Sequence, residues 1–366
     1  MDYKKLAREN ILSIEPYVPG KSIDEIKELY HLTEVIKMAS NENPIGPSQK
    51  AREAIVDYLS KIHLYPISDA PYLRRVLSEK LGINTDEIIF GNGSDDLIEI
   101  LLLTFLKNGE HTLTISPTFS EYFLMTKVVG GECRFVPLEK DFTYNFDRLS
   151  TSVNEHTKII FLSNPNNPTG TYFNSSDFIR FMENVPSDKI VVLDEAYAEY
   201  VEAEDFPKSF HLRKRFNNLV IMRTFSKAYG LAGLRVGYAV AEKDIISLMN
   251  KVRQPFNVNS LAQVAACAAI GDESHLEKVF KMNLEGKYYL YRAFDRMKLD
   301  YIKSQANFML VNVGDGLKVS EELLRNGIIV RYMGQQLPEY IRVTVGTMEE
   351  NEVFIKKLEK IIGEIV

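Results

Sequence analysis

Leu219-Val220-Ile221-Met222-Arg223-Thr224-Phe225-Ser226-Lys227 carries an apolar, strand-like run straight into two hydroxyls and a lysine. Upstream, Val191-Val192-Leu193 is equally apolar and ends on Asp194. Runs without polar alternation suit strands that helices cover on both faces. Similar runs recur from Glu87 to Phe90, Thr112 to Ser116, Lys158 to Leu162 and Arg235 to Val240, separated by helical patterns. The alternation predicts an α/β, doubly wound domain, with functional loops at the carboxyl ends of its strands.

Further along, Ser260-Leu261-Ala262-Gln263 reads as a capping box opening an Ala-rich helix through Ile270. A long amphipathic stretch from Glu273 to Met297 then leads to a tail of different character. The tail reads strand (Phe308 to Val313), helix (Val319 to Asn326), strand (Ile328 to Val330), strand (Tyr340 to Val345), helix (Glu350 to Ile362). The expected organisation is an arm over 1–40, packing on the small domain or a partner subunit, and a large domain over 41–272. A small α+β domain over 273–366 begins with the connecting helix.

Composition narrows the function. The 366 residues are 45% hydrophobic and 26% charged, and 44 basic against 50 acidic side chains leave a net charge of −6. No strong positive field is present to recruit nucleic acid. Cys133 and Cys267 indicate no disulfide framework, and no two of the six histidines share a helical turn, so no metal site is expected. The first residues lack an apolar signal core, and Leu97 to Leu106 is too short to span a bilayer. A cytoplasmic protein with no membrane partner is expected.

Chemistry concentrates at the strand ends. Gly91-Asn92-Gly93-Ser94-Asp95-Asp96 follows a strand and opens an apolar helix, whose first N–H groups suit an anion. Asp96 stands where a dinucleotide fingerprint needs its third glycine, so that reading fails. Taken singly, Asp194 reads as a turn residue and Lys227 as a solvated lysine. Together with Tyr197, with Asn167 in Asn164-Pro165-Asn166-Asn167-Pro168-Thr169-Gly170, and with Thr224, Ser226 and Arg235, they match what pyridoxal phosphate needs. Those needs are an amine for a Schiff base, a carboxylate for the pyridinium nitrogen, donors for the phenolic oxygen, and hydroxyls with an arginine for the phosphate.

These motifs resemble the fold-type I aminotransferases, with a large, mostly parallel mixed sheet flanked by helices and a small α+β domain. More narrowly, the chain resembles the histidinol-phosphate aminotransferases. The further segments that carry this are Pro16-Tyr17, Ser40-Asn41-Glu42-Asn43-Pro44, Tyr65-Pro66, Pro117-Thr118-Phe119 with Tyr122, and Ile341-Arg342-Val343-Thr344-Val345-Gly346-Thr347. The resemblance implies that Lys227 holds pyridoxal 5'-phosphate and shuttles the proton, that Asp194 pairs with the ring nitrogen, and that Tyr197 and Asn167 meet the phenolic oxygen. It implies that Tyr122 stacks on the ring, and that Ser94, Asp95, Thr224, Ser226 and Arg235 surround the phosphate. Tyr65 would reach that phosphate from the other subunit of a homodimer. Tyr17, Asn41, Tyr65, Asn167, Arg331 and Arg342 would bind histidinol phosphate and, in the other half-reaction, glutamate or 2-oxoglutarate. One segment departs from the pattern: Ile67-Ser68-Asp69-Ala70-Pro71 stands where many relatives place an Asp-Gly turn. A broad aromatic aminotransferase and a phosphothreonine decarboxylase share the scaffold and stay open here.

Overall fold

The computed structural model describes residues 2–15 and 21–365. In chain order its strands are β1 (Ile36–Lys37), β2 (Ile88–Gly91), β3 (His111–Ser116), β4 (Glu132–Pro137), β5 (Thr157–Ser163) and β6 (Ile190–Asp194). They continue as β7 (Leu219–Thr224), β8 (Gly237–Val240), β9 (Phe308–Asn312), β10 (Ile328–Ile329), β11 (Arg331–Tyr332) and β12 (Tyr340–Thr344). Seven of them form one sheet in the order β2-β8-β7-β6-β5-β3-β4. From β7 to β4 neighbours run parallel, and β8 lies antiparallel to both β7 and β2.

The apolar runs are explained by burial on both faces. Val191, Leu193, Leu219 and Ile221 pack with Phe178 and Phe181 on one side, whereas Val192, Val220 and Met222 pack with Leu97 and Leu101 on the other. Each such side chain contributes roughly 1.5–3 kcal/mol by leaving water. Polar alternation would place a charge in one of the two cores. Edge strand β4 escaped the sequence reading because only Val136 of its six residues is buried.

The 25-residue helix Glu273–Met297 keeps the predicted bounds. Its Val279 packs with Tyr197, Tyr200 and Phe308, and its later Leu290 and Phe294 join a second core with Met309, Val311, Val343 and Phe354. That core underlies the antiparallel sheet β11-β12-β9. The beginning of the chain touches both bodies. Arg8 and Asn10 donate to carbonyls at the end of the Ser120–Val129 helix, while β1 pairs in parallel with β10.

Several local expectations shift. The Ala-rich helix is capped by Asn259, whose side chain accepts from the Ala262 N–H at 2.8 Å, so Ser260 is already helical. Asparagine caps as well as serine, and the Gln263 amide turns instead to the carbonyls of Ile67 and Val258. Strand β8 starts at Gly237, two residues late, because Arg235 turns the chain through the left-handed region at φ 54°. In the tail, Gly316–Arg325 and Met348–Ile365 are helical, and two two-residue strands, β10 and β11, lie where one was expected. No helix among the described residues is long and apolar enough to cross a membrane.

Candidate active site

The parallel strands β5, β6 and β7 end together, and a cavity of about 700 Å³ opens over their carboxyl ends. That volume suits a small ligand enclosed by protein. Asp194, the last residue of β6, is 3% exposed and lines this cavity. Its Oδ2 accepts from the Tyr122 hydroxyl at 2.6 Å and its Oδ1 from the Ala196 N–H at 3.1 Å. Burial pushes its carboxyl up to about 6, against the lowering effect of the Tyr122 hydrogen bond. A cation brought into the cavity would restore the charged form.

Lys227, three residues past β7, also opens on the cavity. Its Nζ donates to the Ser40 carbonyl at 3.1 Å and lies 5.8 Å from the centre of the Tyr197 ring. Burial, with Arg342 and Arg235 nearby, lowers the amine to about 8, while Glu42 and Asp95 oppose the shift. An amine in that range is neutral, and so nucleophilic, far more often than a solvated lysine.

One end of the cavity is an anion cradle. Gly93, at φ 89°, turns the chain from β2 into the Ser94–Phe105 helix, whose first N–H groups have no partner within the helix. A Cβ on Gly93 would meet the Arg235 guanidinium at 2.4 Å, and one on Gly237 would meet the Ser94 nitrogen at 2.9 Å. Both glycines therefore permit the close approach that builds the cradle. Arg235 reaches Asp95 at 3.0 Å and the Ser226 hydroxyl at 3.4 Å, and the Ser226 N–H donates to the Thr224 hydroxyl at 3.1 Å. Holding a bulky arginine at positive φ costs backbone energy that the surrounding contacts offset.

Residues from distant parts of the chain form the opposite wall. The Asn41 amide donates to the Tyr197 hydroxyl at 3.0 Å, and the Asn41 N–H donates to the Thr344 hydroxyl at 2.9 Å. Arg342 donates to the Asn167 side-chain oxygen at 2.5 Å and to the Ala39 carbonyl at 2.7 Å. Arg331 and Arg342 stand directly opposite each other across β11 and β12, and both line the cavity. Like charges so placed repel unless an anion bridges them.

Not every expected residue arrives. Tyr122 does not line the cavity. It is fully buried, with its ring stacked on Phe161 at 4.8 Å and its hydroxyl spent on Asp194. It therefore has no open face for a ligand ring, and the stacking role expected of it is corrected. Phe119, three residues earlier and lining the cavity, supplies the aromatic surface. Tyr65, expected to act from the other subunit, lies outside its own chain's cavity, 81% exposed and stacked on Phe256 at 5.0 Å. The loop after it is held by Arg253 on the Ser68 carbonyl and by Arg74 on Asp69. Tyr17 lies outside the described residues. Sequence reasoning missed Phe119, the Ser40 carbonyl, and the Met333, Gln336 and Leu337 wall. For Phe119 the signal was its place in the already quoted Pro117-Thr118-Phe119.

The cavity thus joins an amine and a buried carboxylate to an anion cradle at one end and paired arginines at the other. Residues 33–358 match the model of aminotransferase class I and II, and the chain belongs to that family. Within it the chain is similar to the histidinol-phosphate aminotransferase of Caldicellulosiruptor saccharolyticus, 43% identical over 97% of this chain and 99% of the relative. It is 44% identical to that of Moorella thermoacetica, over 97% of this chain and 93% of the relative. Among solved structures, the histidinol-phosphate aminotransferase of Sinorhizobium meliloti in complex with pyridoxal-5'-phosphate has the same fold. It superposes with a TM-score of 0.90 at 23% identity, covering 98% of each chain.

Proposed function

We propose that this chain is a pyridoxal-phosphate-dependent aminotransferase of histidine biosynthesis. It converts L-histidinol phosphate and 2-oxoglutarate to imidazole-acetol phosphate and L-glutamate. The observation that carries the reading is the single cavity in which Lys227 and Asp194 lie between the Arg235 cradle and the Arg331–Arg342 pair. The substrate follows from the relatives, 43–44% identical along nearly the whole chain.

The residues fit the cofactor. The buried Asp194 carboxylate is suited to a pyridinium N–H, and the cradle of Ser94, Asp95, Thr224, Ser226 and Arg235 to a phosphate monoester. Asn167 and Tyr197 would meet the phenolic oxygen, and Phe119, not Tyr122, would lie against the ring. When bound, pyridoxal phosphate supplies an electron sink next to the carbon that loses its proton. Lys227 Nζ would hold the cofactor, and the neutral amine that its surroundings favour would accept that proton and become the ammonium that returns it. Asn41 positions Tyr197 through its amide. Arg331 and Arg342 take the phosphate of one substrate and a carboxylate of the other in alternate half-reactions, with Tyr17 as a further contact.

A second copy of the chain completes the site. Val56, Leu59, Ile62, Leu64, Tyr65, Ile67 and Tyr72 are exposed apolar side chains concentrated in one short segment. Such a concentration marks a surface that another protein covers. Tyr65 lies within it and reaches the partner's phosphate cradle. The dimer works in the cytoplasm.

A substrate panel with the purified holoenzyme tests the reading. The expected result is a kcat/KM for histidinol phosphate far above those for phenylalanine and tyrosine, with no carbon dioxide released from threonine phosphate. Equal kcat/KM for all three amino donors would remove the substrate assignment and leave a broad aromatic aminotransferase.

A further inference from the structure

We propose that Tyr122 is a positioning residue for the reaction, its buried hydroxyl holding the Asp194 carboxylate in place against the ring nitrogen. The inference rests on the cofactor reading above and deepens it. Tyr122 is 0% exposed, and its hydroxyl donates to Asp194 Oδ2 at 2.6 Å. The Ala196 N–H takes the other carboxylate oxygen at 3.1 Å. With one protein donor on each oxygen, the carboxylate cannot rotate without breaking a buried hydrogen bond. Its other lone pairs are left for the cavity that Asp194 lines.

The phenol is itself immobilised. Its ring lies parallel to Phe161 of β5, 4.8 Å away with a 4° interplanar angle, and meets Phe119 edge-on at 5.6 Å. Its carbonyl accepts from the Thr126 hydroxyl at 2.6 Å, and Thr126 contacts Thr112 of β3 at 3.1 Å. The hydroxyl is therefore fixed relative to two strands of the sheet that carries Asp194. Its chemistry also suits the task. Burial pushes the phenol well above its ordinary range, so it keeps its proton, donates a hydrogen bond at every working pH and adds no charge. A lysine or arginine in its place would pair with Asp194 and compete with the ring nitrogen. A phenol orients the carboxylate and leaves its charge for the ligand.

Tyr122→Phe removes the hydroxyl and keeps the ring that fills the space. In cofactor-free protein carrying ¹³C-carboxyl aspartate, the Asp194 resonance is identified by its absence in Asp194→Asn. It should titrate about one pH unit higher in Tyr122→Phe than in wild type. In the holoenzyme the ring nitrogen is then less firmly protonated. The pH at which the visible band of the lysine-linked cofactor titrates should rise, with kcat down about 10–100-fold and KM within about threefold. In an Asp194→Asn background the same substitution should move the band no further. An unchanged Asp194 titration overturns the proposal, as does an unchanged band or an equal shift in both backgrounds. A titration shift in the cofactor-free protein without any cofactor band in wild type would overturn the cofactor reading, and with it a positioning role in this reaction. The Tyr122–Asp194 coupling would stand.

Discussion

The floor and the far wall of the cavity are built in opposite ways. Floor residues come from neighbouring parallel strands, at or just past their ends, and they are locked by internal partners. Asp194 is held by Tyr122, and the next residue, Glu195, has a fully buried side chain paired to Arg223 of β7 at 2.7 Å. Wall residues come from segments far apart: Asn41 meets Thr344 across 303 positions, and Arg342 meets Asn167 across 175. Two arginines stand at paired positions there, Arg331 on the two-residue β11 and Arg342 on β12. Under the proposed reaction the difference has a purpose. The floor serves one unchanging cofactor and is rigid, whereas the wall must accept two different acids in turn through long, charged side chains.

The comparison breaks most sharply at Lys227. Lys227→Ala should abolish the visible absorbance of the bound cofactor and lower turnover by about 10³-fold or more, read by spectrum and steady-state rate. An unaltered spectrum would place the covalent link elsewhere. Asp194→Asn should cost about 10²–10³-fold in kcat with a smaller change in KM, because it removes charge stabilisation at the ring and little substrate binding. On the wall, Arg331→Ala should raise KM for histidinol phosphate about 10–100-fold and leave cofactor affinity, measured by absorbance titration, within about twofold. Equal losses of both would mean that Arg331 supports the fold of the wall and not the substrate.

Without cofactor, the rigid floor carries a stability cost that pH reveals. Asp194 titrates at about 6 in the folded chain against 3.8 for an ordinary aspartate, so the folded state holds this proton more tightly than the unfolded one. Its favourable contribution is full below about pH 4 and is lost as pH rises through about 6, a loss of up to about 3 kcal/mol. Cofactor-free Asp194→Asn should therefore melt above wild type at pH 7–8, and the gap should close towards pH 4. A gap independent of pH would assign the effect to packing. The smallest effect lies away from both regions: Asn259→Ala should cost about 1 kcal/mol, measured by denaturant titration, with kcat unchanged.

The floor was largely legible in the sequence because Asp194 and Lys227 both follow uninterrupted apolar runs, and a doubly wound sheet gathers such ends at one edge. Which aromatic faces the cavity was not legible. Phe119 and Tyr122 are three residues apart at the start of one helix, and only packing against Phe161 shows that Tyr122 turns inward. The wall was harder still. Strand β11 has two residues and no periodicity to read, and Arg331, like Arg342 of β12, was singled out only through family resemblance. At the Ala-rich helix, Asn259 and Ser260 are adjacent residues of similar capping strength, so the sequence alone misplaced the start by one position.

The pairing of β1 with β10 also sets the order in which the parts of the site assemble during synthesis. Residues 36–37 and Asn41 leave the ribosome long before their partners Ile328, Ile329 and Thr344. At roughly 5–20 residues per second, the early segment waits on the order of 15–60 s. The sheet of β2 to β8 has all its strands by residue 240, so its core can form during that interval. The contact of Asn41 with Thr344, and with it the complete far wall of the cavity, cannot form until β12 arrives. A nascent chain stalled before β12 holds the floor residues and lacks Arg342 and Thr344, so the wall is not complete until β12 is made.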